Sequence, residues 1–171
     1  IYEIITGTLS GVETTSTAVW KSFKIPELDS DNRGTDFGAW YSGGMRLENY
    51  NKKIVTTDTN TIKLIPANTI INDSSNFTDT ARPFIRNSSY TEWDGKTGSI
   101  GFQSTYNGET VNGWLKASIS ADGGTFTITE YAFYTRPNGA IRAGAKALPV
   151  TWTGDTNNDW NTASNWSTNN I

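Results

Sequence analysis

The sequence predicts an all-β fold, an antiparallel jelly-roll-like β-sandwich with a partial second β module at the C-terminus. Thr, Ser, Asn and Gly supply most of the polarity, because charged residues make up only 18% of the chain. Stretches rich in β-branched and aromatic residues are separated by turn dipeptides such as Asp94-Gly95 and Asn107-Gly108. The β-branched and aromatic residues favour strands, and the Asp-Gly and Asn-Gly pairs favour tight turns. Short strands separated by such turns are typical of a sandwich or a barrel.

Strands are predicted in order along the chain at residues 17–25, 53–57 and 61–65, followed by a longer unit over residues 100–134. In that unit, turns at Asn107-Gly108 and Asp122-Gly123 separate three stretches, which predicts a three-stranded antiparallel meander. In the last stretch Phe126 alternates with threonines, so we expect one face on a core and the other in solvent.

A change in composition near Pro149 predicts a boundary between two units. Residues 144–149 are mostly small and end in proline, as in a linker. We therefore assign residues 1–148 to a β-sandwich module, and residues 149–171 to the linker and the first strand and turn of a following module. The second unit holds three of the seven tryptophans, Trp152, Trp160 and Trp166.

The composition excludes several classes of chemistry. The chain has no histidine and no cysteine, which removes imidazole-based triads, thiolate nucleophiles, disulfides and ordinary structural zinc sites. Its net charge is −3 and its basic residues are scattered, so we expect no nucleic-acid partner. Its apolar runs are far shorter than the ~20 residues that span a bilayer. We expect a protein that is not an enzyme and requires no cofactor.

An acidic turn is the candidate metal site. Asp29, Asp31 and Asp36 lie around Gly34, and alternate carboxylates on such a turn can supply the oxygen ligands that Ca²⁺ needs. Arg33 stands where a further acidic ligand is expected. The alternative is a metal-free turn in which the aspartates cap backbone N–H groups.

Aromatic residues beside turns are the candidate ligand-binding residues. Tryptophan and tyrosine rings can stack on sugar rings, while Asn, Asp and Thr bind hydroxyls, so a glycan or surface polymer is the predicted partner. The alternative is a small glycan-active enzyme that uses two carboxylates. The aromatic candidates are Trp40, Tyr41, Tyr90, Trp93 and Tyr134, and the carboxylates available for a pair are Glu48, Glu92, Asp94, Glu109 and Glu130.

Short motifs of the first unit resemble a recurrent module of secreted bacterial proteins. The resemblance implies an extracellular module and carries over no catalytic residue. The motifs are Ile100-Gly101-Phe102, Gly113-Trp114-Leu115, Glu130-Tyr131-Ala132-Phe133-Tyr134 and Ile141-Arg142-Ala143-Gly144, with Gly34-Thr35-Asp36-Phe37 as the preceding turn.

The C-terminal stretch from Thr151-Trp152-Thr153-Gly154 to Asn165-Trp166 is similar to the opening of a repeat found in long cell-surface proteins of the Bacteroidetes, many of them cargo of the type IX secretion system. The resemblance implies an exported, adhesin-like parent protein that engages secretion or surface-display machinery. In that context Asp79-Thr80-Ala81 resembles an O-glycosylation acceptor site, which makes Thr80 a candidate for modification.

Overall fold

The computed structural model describes residues 2–15, 20–28, 36–41, 44–50, 52–57, 60–79, 83–147 and 152–165. The predicted all-β fold is confirmed. The strands of the described residues are β1 Ile4–Thr15, β2 Trp20–Phe23, β3 Phe37–Tyr41, β4 Gly44–Asn49, β5 Lys53–Val55, β6 Ile70–Ile71, β7 Phe77–Thr78, β8 Phe84–Asn87, β9 Thr97–Tyr106, β10 Glu109–Ile119, β11 Thr125–Tyr134 and β12 Ile141–Arg142, and a short 3-10 turn covers Ala163–Asn165.

The strands form two principal antiparallel sheets and a small third one. The first sheet has the order β1-β11-β10-β9-β5-β7, and the second has the order β2-β3-β4-β8. Strands β6 and β12 pair with each other. Strands β9, β10 and β11 are the predicted meander, because each pairs with the next along the chain.

The main core lies between the two principal sheets, as in a β-sandwich. The Phe37 ring of the four-stranded sheet meets the Phe102 ring of the six-stranded sheet edge-on, with centroids 5.5 Å apart. Phe23 stacks on Phe37 at 5.4 Å. Other buried side chains of this core come from both sheets and include Met45, Leu47, Ile85, Leu115, Ile128 and Phe133.

A second hydrophobic cluster covers the opposite face of the six-stranded sheet. Trp114 of β10 is buried there, and its indole N–H donates to the Ala145 carbonyl at 3.1 Å. Gly101 of β9 leaves room for this layer, since a Cβ atom at that position would lie only 2.7 Å from a Val55 methyl. The prediction of a solvent-facing side was therefore wrong for the C-terminal half of β11, where Ala132 is buried in this cluster. The prediction of a solvent-facing side holds near Thr129, which is exposed.

The turns of the meander follow from their residues. Asn107 and Gly108 join β9 to β10 with φ values of 51° and 80°. Both values are positive, as in the type I′ turn that Asn-Gly pairs favour and that matches the twist of a hairpin. The finer jelly-roll connectivity and the second module stay predictions.

The described part of the C-terminal unit is organised around one buried asparagine. The Asn165 side chain accepts from the backbone N–H groups of Thr156 and Asn157, and donates to Asn157 Oδ1 and to the Asp159 carbonyl. Trp152 and Trp160 stack with ring centroids 4.8 Å apart. Polar bonding and ring stacking therefore order this short segment.

A buried tyrosine connects the meander to the segment that follows β2. Tyr131 of β11 donates its hydroxyl proton to Glu27 at 2.9 Å. Burial of the phenol, and secondarily the neighbouring Glu27 carboxylate, raise the pKa of Tyr131 to about 12. The native state therefore favours the neutral phenol.

This pKa shift predicts a loss of stability in alkaline solution. The phenol titrates near pH 10 in an unfolded chain. Because its pKa is raised on folding, its contribution is complete below about pH 10 and is lost as the pH rises through about 12. Thermal melts of the wild type and Tyr131→Phe across this range should therefore converge, with the wild type losing stability faster. Parallel curves for the two proteins would contradict the assignment.

Candidate functional site

An open cleft of about 410 Å³ lies at one end of the six-stranded sheet. Three parts of the chain meet there because of the strand pairing. Ile4 of β1 lies opposite Tyr134 of β11, which brings the segment before β1 beside the segment after β11. The β9–β10 hairpin supplies the remaining wall. The residues that line the cleft are Tyr2, Glu3, Tyr106, Asn107, Glu109, Thr135 and Pro137.

Hydrogen bonds that involve backbone groups hold the walls of this cleft in fixed positions relative to one another. The Glu3 N–H donates to Thr135 Oγ1 at 2.8 Å, and the Thr135 N–H donates to the Glu3 carbonyl at 2.9 Å. The Asn138 N–H donates to the Thr110 carbonyl at 2.8 Å, which joins the loop after β11 to the hairpin. The cleft is thus formed by loops that a rigid sheet supports.

The side chains of the cleft combine aromatic rings with hydrogen-bond acceptors. Tyr2 is 58% exposed. Tyr106 is half-buried, and its ring lies 5.4 Å from that of Phe133. Glu3 and Glu109 are exposed and carry carboxylates. Such a surface can stack on a ring and accept hydrogen bonds from several hydroxyl groups at once.

A row of aromatic and cationic residues crosses the four-stranded sheet. Trp20, Trp40 and Arg46 occupy successive register positions on β2, β3 and β4, and Phe84 of β8 follows. The Arg46 guanidinium lies 3.4 Å from the centre of the Phe84 ring. Since Met45 and Leu47 of β4 face the core, strand alternation assigns Arg46 to the opposite face.

The four predicted aromatic ligand residues whose side chains the structure describes do not form one site. Trp40 occupies the register position opposite Arg46, but its side chain lies outside the described part of the structure. Tyr41 is half-buried and packs against the main core. The Tyr90 hydroxyl lies 2.7 Å from the Ile62 carbonyl. Tyr134 packs against the second cluster, next to the cleft but outside its lining.

Trp93 requires a correction. It is 0% exposed, and its indole N–H donates to the Ile62 carbonyl at 3.0 Å. A buried indole has no free face on which a sugar could stack, so Trp93 is a core residue. Its position beside a turn had suggested exposure, but the segment folds back over the core.

Asp36 also has a role other than the predicted one. It is fully buried, accepts from the Ile25 N–H through Oδ2 at 2.7 Å, and faces the Lys52 ammonium through Oδ1 at 3.2 Å. Oδ2 is thus held by a backbone donor, and the ammonium beside Oδ1 would repel a cation. Asp29 and Asp31 lie outside the described residues, as does Thr80. No cluster of three acidic residues occurs in the part of the chain that the structure describes.

Most of the carboxylates considered for catalysis have structural partners. Asp94 pairs with Arg86 at 3.0 Å, and Glu92 lies 2.5 Å from the Tyr90 hydroxyl. Hydrogen bonds from Lys146, and more weakly from Lys116, lower the pKa of Glu130. Glu48 is buried on β4. Glu109 alone of the five lines the cleft, where Glu3 joins it.

Comparison with models of known protein families, with curated proteins and with solved structures finds no match. In the described residues no helix is long and apolar enough to cross a membrane.

The burial of Trp93 predicts a cost in stability. Trp93→Ala should lower the free energy of unfolding by about 3–5 kcal/mol, because it leaves a cavity in the core. Tyr2→Ala, at an exposed position, should change it by about 0.5 kcal/mol or less. Chemical denaturation of both variants measures the difference. Should Trp93→Ala fail to fold, Trp93→Phe keeps most of the volume and removes the N–H donor. Wild-type stability in both Trp93 variants would contradict the core assignment.

Proposed function

We propose that this chain is a non-catalytic module of a large secreted or cell-surface protein, with an adhesive or structural role, and that it binds a glycan in the cleft beside the β9–β10 hairpin. The single observation that carries the glycan-binding part is the combination of Tyr2 and Tyr106 with Glu3 and Glu109 around one open cleft.

The chemistry of the cleft suits a neutral, polyhydroxylated ligand. Tyrosine rings offer flat apolar surface, and carboxylate and amide oxygens accept hydrogen bonds from hydroxyl groups. Asn107 adds both a donor and an acceptor at the hairpin turn. A glycan carrying carboxylate or sulfate groups would be repelled by Glu3 and Glu109, so we propose a neutral or amino-substituted sugar.

The wider context of the proposal rests on composition and resemblance. A chain without cysteine or histidine, rich in Thr and Asn, with motifs similar to those of secreted bacterial modules, fits surface display by a Bacteroidetes-type system such as type IX secretion. O-glycosylation of Thr80 and a following repeat module belong to the same proposal. A structural Ca²⁺ would depend on Asp29 and Asp31, because Asp36 pairs with Lys52.

Glycan binding predicts a loss of affinity on mutation of the cleft. A glycan array followed by titration should identify a neutral oligosaccharide, and Tyr2→Ala should weaken its binding by about tenfold, equivalent to about 1.4 kcal/mol. Glu109→Gln should weaken binding by a similar factor, because it removes a charged acceptor. Both positions are exposed, so neither variant should change the melting temperature.

The matched control is Trp160→Ala, which removes another exposed aromatic residue, 62% accessible, outside the cleft. It should bind as the wild type does. Trp40→Ala tests the row on the four-stranded sheet. Loss of binding in Trp40→Ala with retention in Tyr2→Ala would overturn the cleft assignment, and failure to bind any glycan on a broad array would overturn glycan binding itself.

The pair Glu3 and Glu109 favours one alternative function, a small glycan-active enzyme. Two carboxylates across a cleft are the minimum machinery for glycoside hydrolysis. The acid of such a pair must hold a proton near neutral pH, which usually requires an apolar surrounding. Both residues are exposed, and this supports binding over catalysis.

An activity assay separates the two functions. Incubation of the wild type with the bound glycan should release no reducing ends above the level of a buffer blank. Release that disappears in both Glu3→Gln and Glu109→Gln would instead establish the enzyme. Release that persists in those variants would indicate a contaminating hydrolase and leave the binding proposal in place.

A further inference from the structure

A lysine and an aspartate face each other inside the protein, away from the cleft. Lys52 is 3% exposed and Asp36 is 0% exposed, and Lys52 Nζ lies 3.2 Å from Asp36 Oδ1. A buried ion pair is costly, because both charges lose their hydration and mutual attraction repays this only in part. Attraction between the two charges alone therefore does not explain why this pair is buried.

The Asp36 carboxyl is fully buried and is held by the backbone. The Asp36 N–H donates to the Phe23 carbonyl at 3.1 Å, and Oδ2 accepts from the Ile25 N–H at 2.7 Å. One carboxyl oxygen is thus held by a backbone donor while the other faces the amine.

Position in the fold brings the two residues together. Asp36 directly precedes β3, and Lys52 follows β4 by three residues, so the pair lies at the open end of the β3–β4 hairpin. Glu48, 8% exposed, lies opposite Gly38, two residues from Asp36. Asp36 directly precedes β3, and if the strand alternation continues by that one residue, Asp36 lies on the same face as Gly38 and Glu48, away from the main core.

We propose that Lys52 and Asp36 form an intramolecular amide bond between Nζ and Cγ, with release of one water molecule. In the first step the ammonium passes one proton to the carboxylate beside it, which leaves the amine and the acid that react. A desolvated lysine amine is a nucleophile. The reacting groups are already at contact distance, so the step is intramolecular.

The step balances without any further reagent. The Nζ lone pair attacks Cγ, and negative charge develops on Oδ2, where the Ile25 N–H is already placed to stabilise it. Glu48 accepts the proton that the nitrogen loses and returns it to Oδ1, which leaves as water while the C–N bond becomes an amide. Asp36 and Lys52 each lose their charge, so the net charge of the chain is unchanged.

Mass spectrometry of the natural chain tests the bond. The intact mass should be lower than the sequence mass by one water, and a tryptic digest should contain a branched peptide in which Lys52 is joined to Asp36 and is not cleaved. Peptide mapping is needed because Asp94-Gly95 and Asp122-Gly123 could also lose water by cyclising locally. The bond is overturned if Lys52 is cleaved by trypsin and reacts with an amine acetylating reagent in unfolded protein.

Two variants give matched controls. Lys52→Arg keeps the positive charge but cannot form this amide, so its intact mass should be the full sequence mass and its melting temperature should fall by several degrees. Glu48→Gln keeps the size of the side chain, and the cross-linked fraction should fall at least about tenfold. An unchanged fraction in Glu48→Gln would remove Glu48 from the step. If either variant fails to fold, the mass of the wild type still decides whether the bond exists.

Discussion

The constraint on which the rest of this structure depends is the burial of β9 and β10 on both faces. Phe102 of β9 and Leu115 of β10 pack into the core between the sheets. On the opposite face, Trp114 of β10 packs into the second cluster, and Gly101 of β9 lies against Val55 of that cluster. A shift of one residue would exchange the two faces, placing an indole where a smaller side chain now fits. The register of the meander is therefore strongly specified. It fixes the hairpin that carries Tyr106, and with it the wall of the cleft.

Much of this fold is readable from the sequence because its strongest signals are local. The Asn107-Gly108 pair and the alternation after it define the meander, and both depend on neighbouring residues alone. Strand β1 was not among the predicted strands, although it is the longest, because its residues show no clear alternation and its order comes from pairing with β11. The second cluster was missed for a similar reason. Its members, such as Val55, Ile71 and Ile141, come from short segments far apart in the sequence.

The site was less predictable than the fold, because exposure is a tertiary property. Nothing in the sequence separates the aromatic residues Trp93 and Tyr2, yet Trp93 is buried and Tyr2 lines the cleft. Asp36 illustrates the same limit. Its acidic neighbours suggested metal binding, whereas its actual partner, Lys52, is sixteen positions away and approaches only because a hairpin lies between them. The sequence signal for this contact is the position of the two residues, because residues that flank the two strands of a hairpin meet at its open end.

The cleft lies at the end of the sandwich because the loops there carry fewer packing constraints than the sheets. The side chains between the sheets are packed against one another, so few substitutions are tolerated there. The loops at the end of the sheets can vary in sequence, and the strands beneath hold them in place. Tyr106 belongs to both regions, since its ring packs on Phe133 and the residue also lines the cleft. An aromatic side chain anchored in this way is already ordered before a ligand arrives, and less conformational entropy is lost on binding. This smaller loss of entropy supports the proposed glycan binding, in which the Tyr106 ring would contact the ligand while the Glu3 and Glu109 carboxylates remain in solvent.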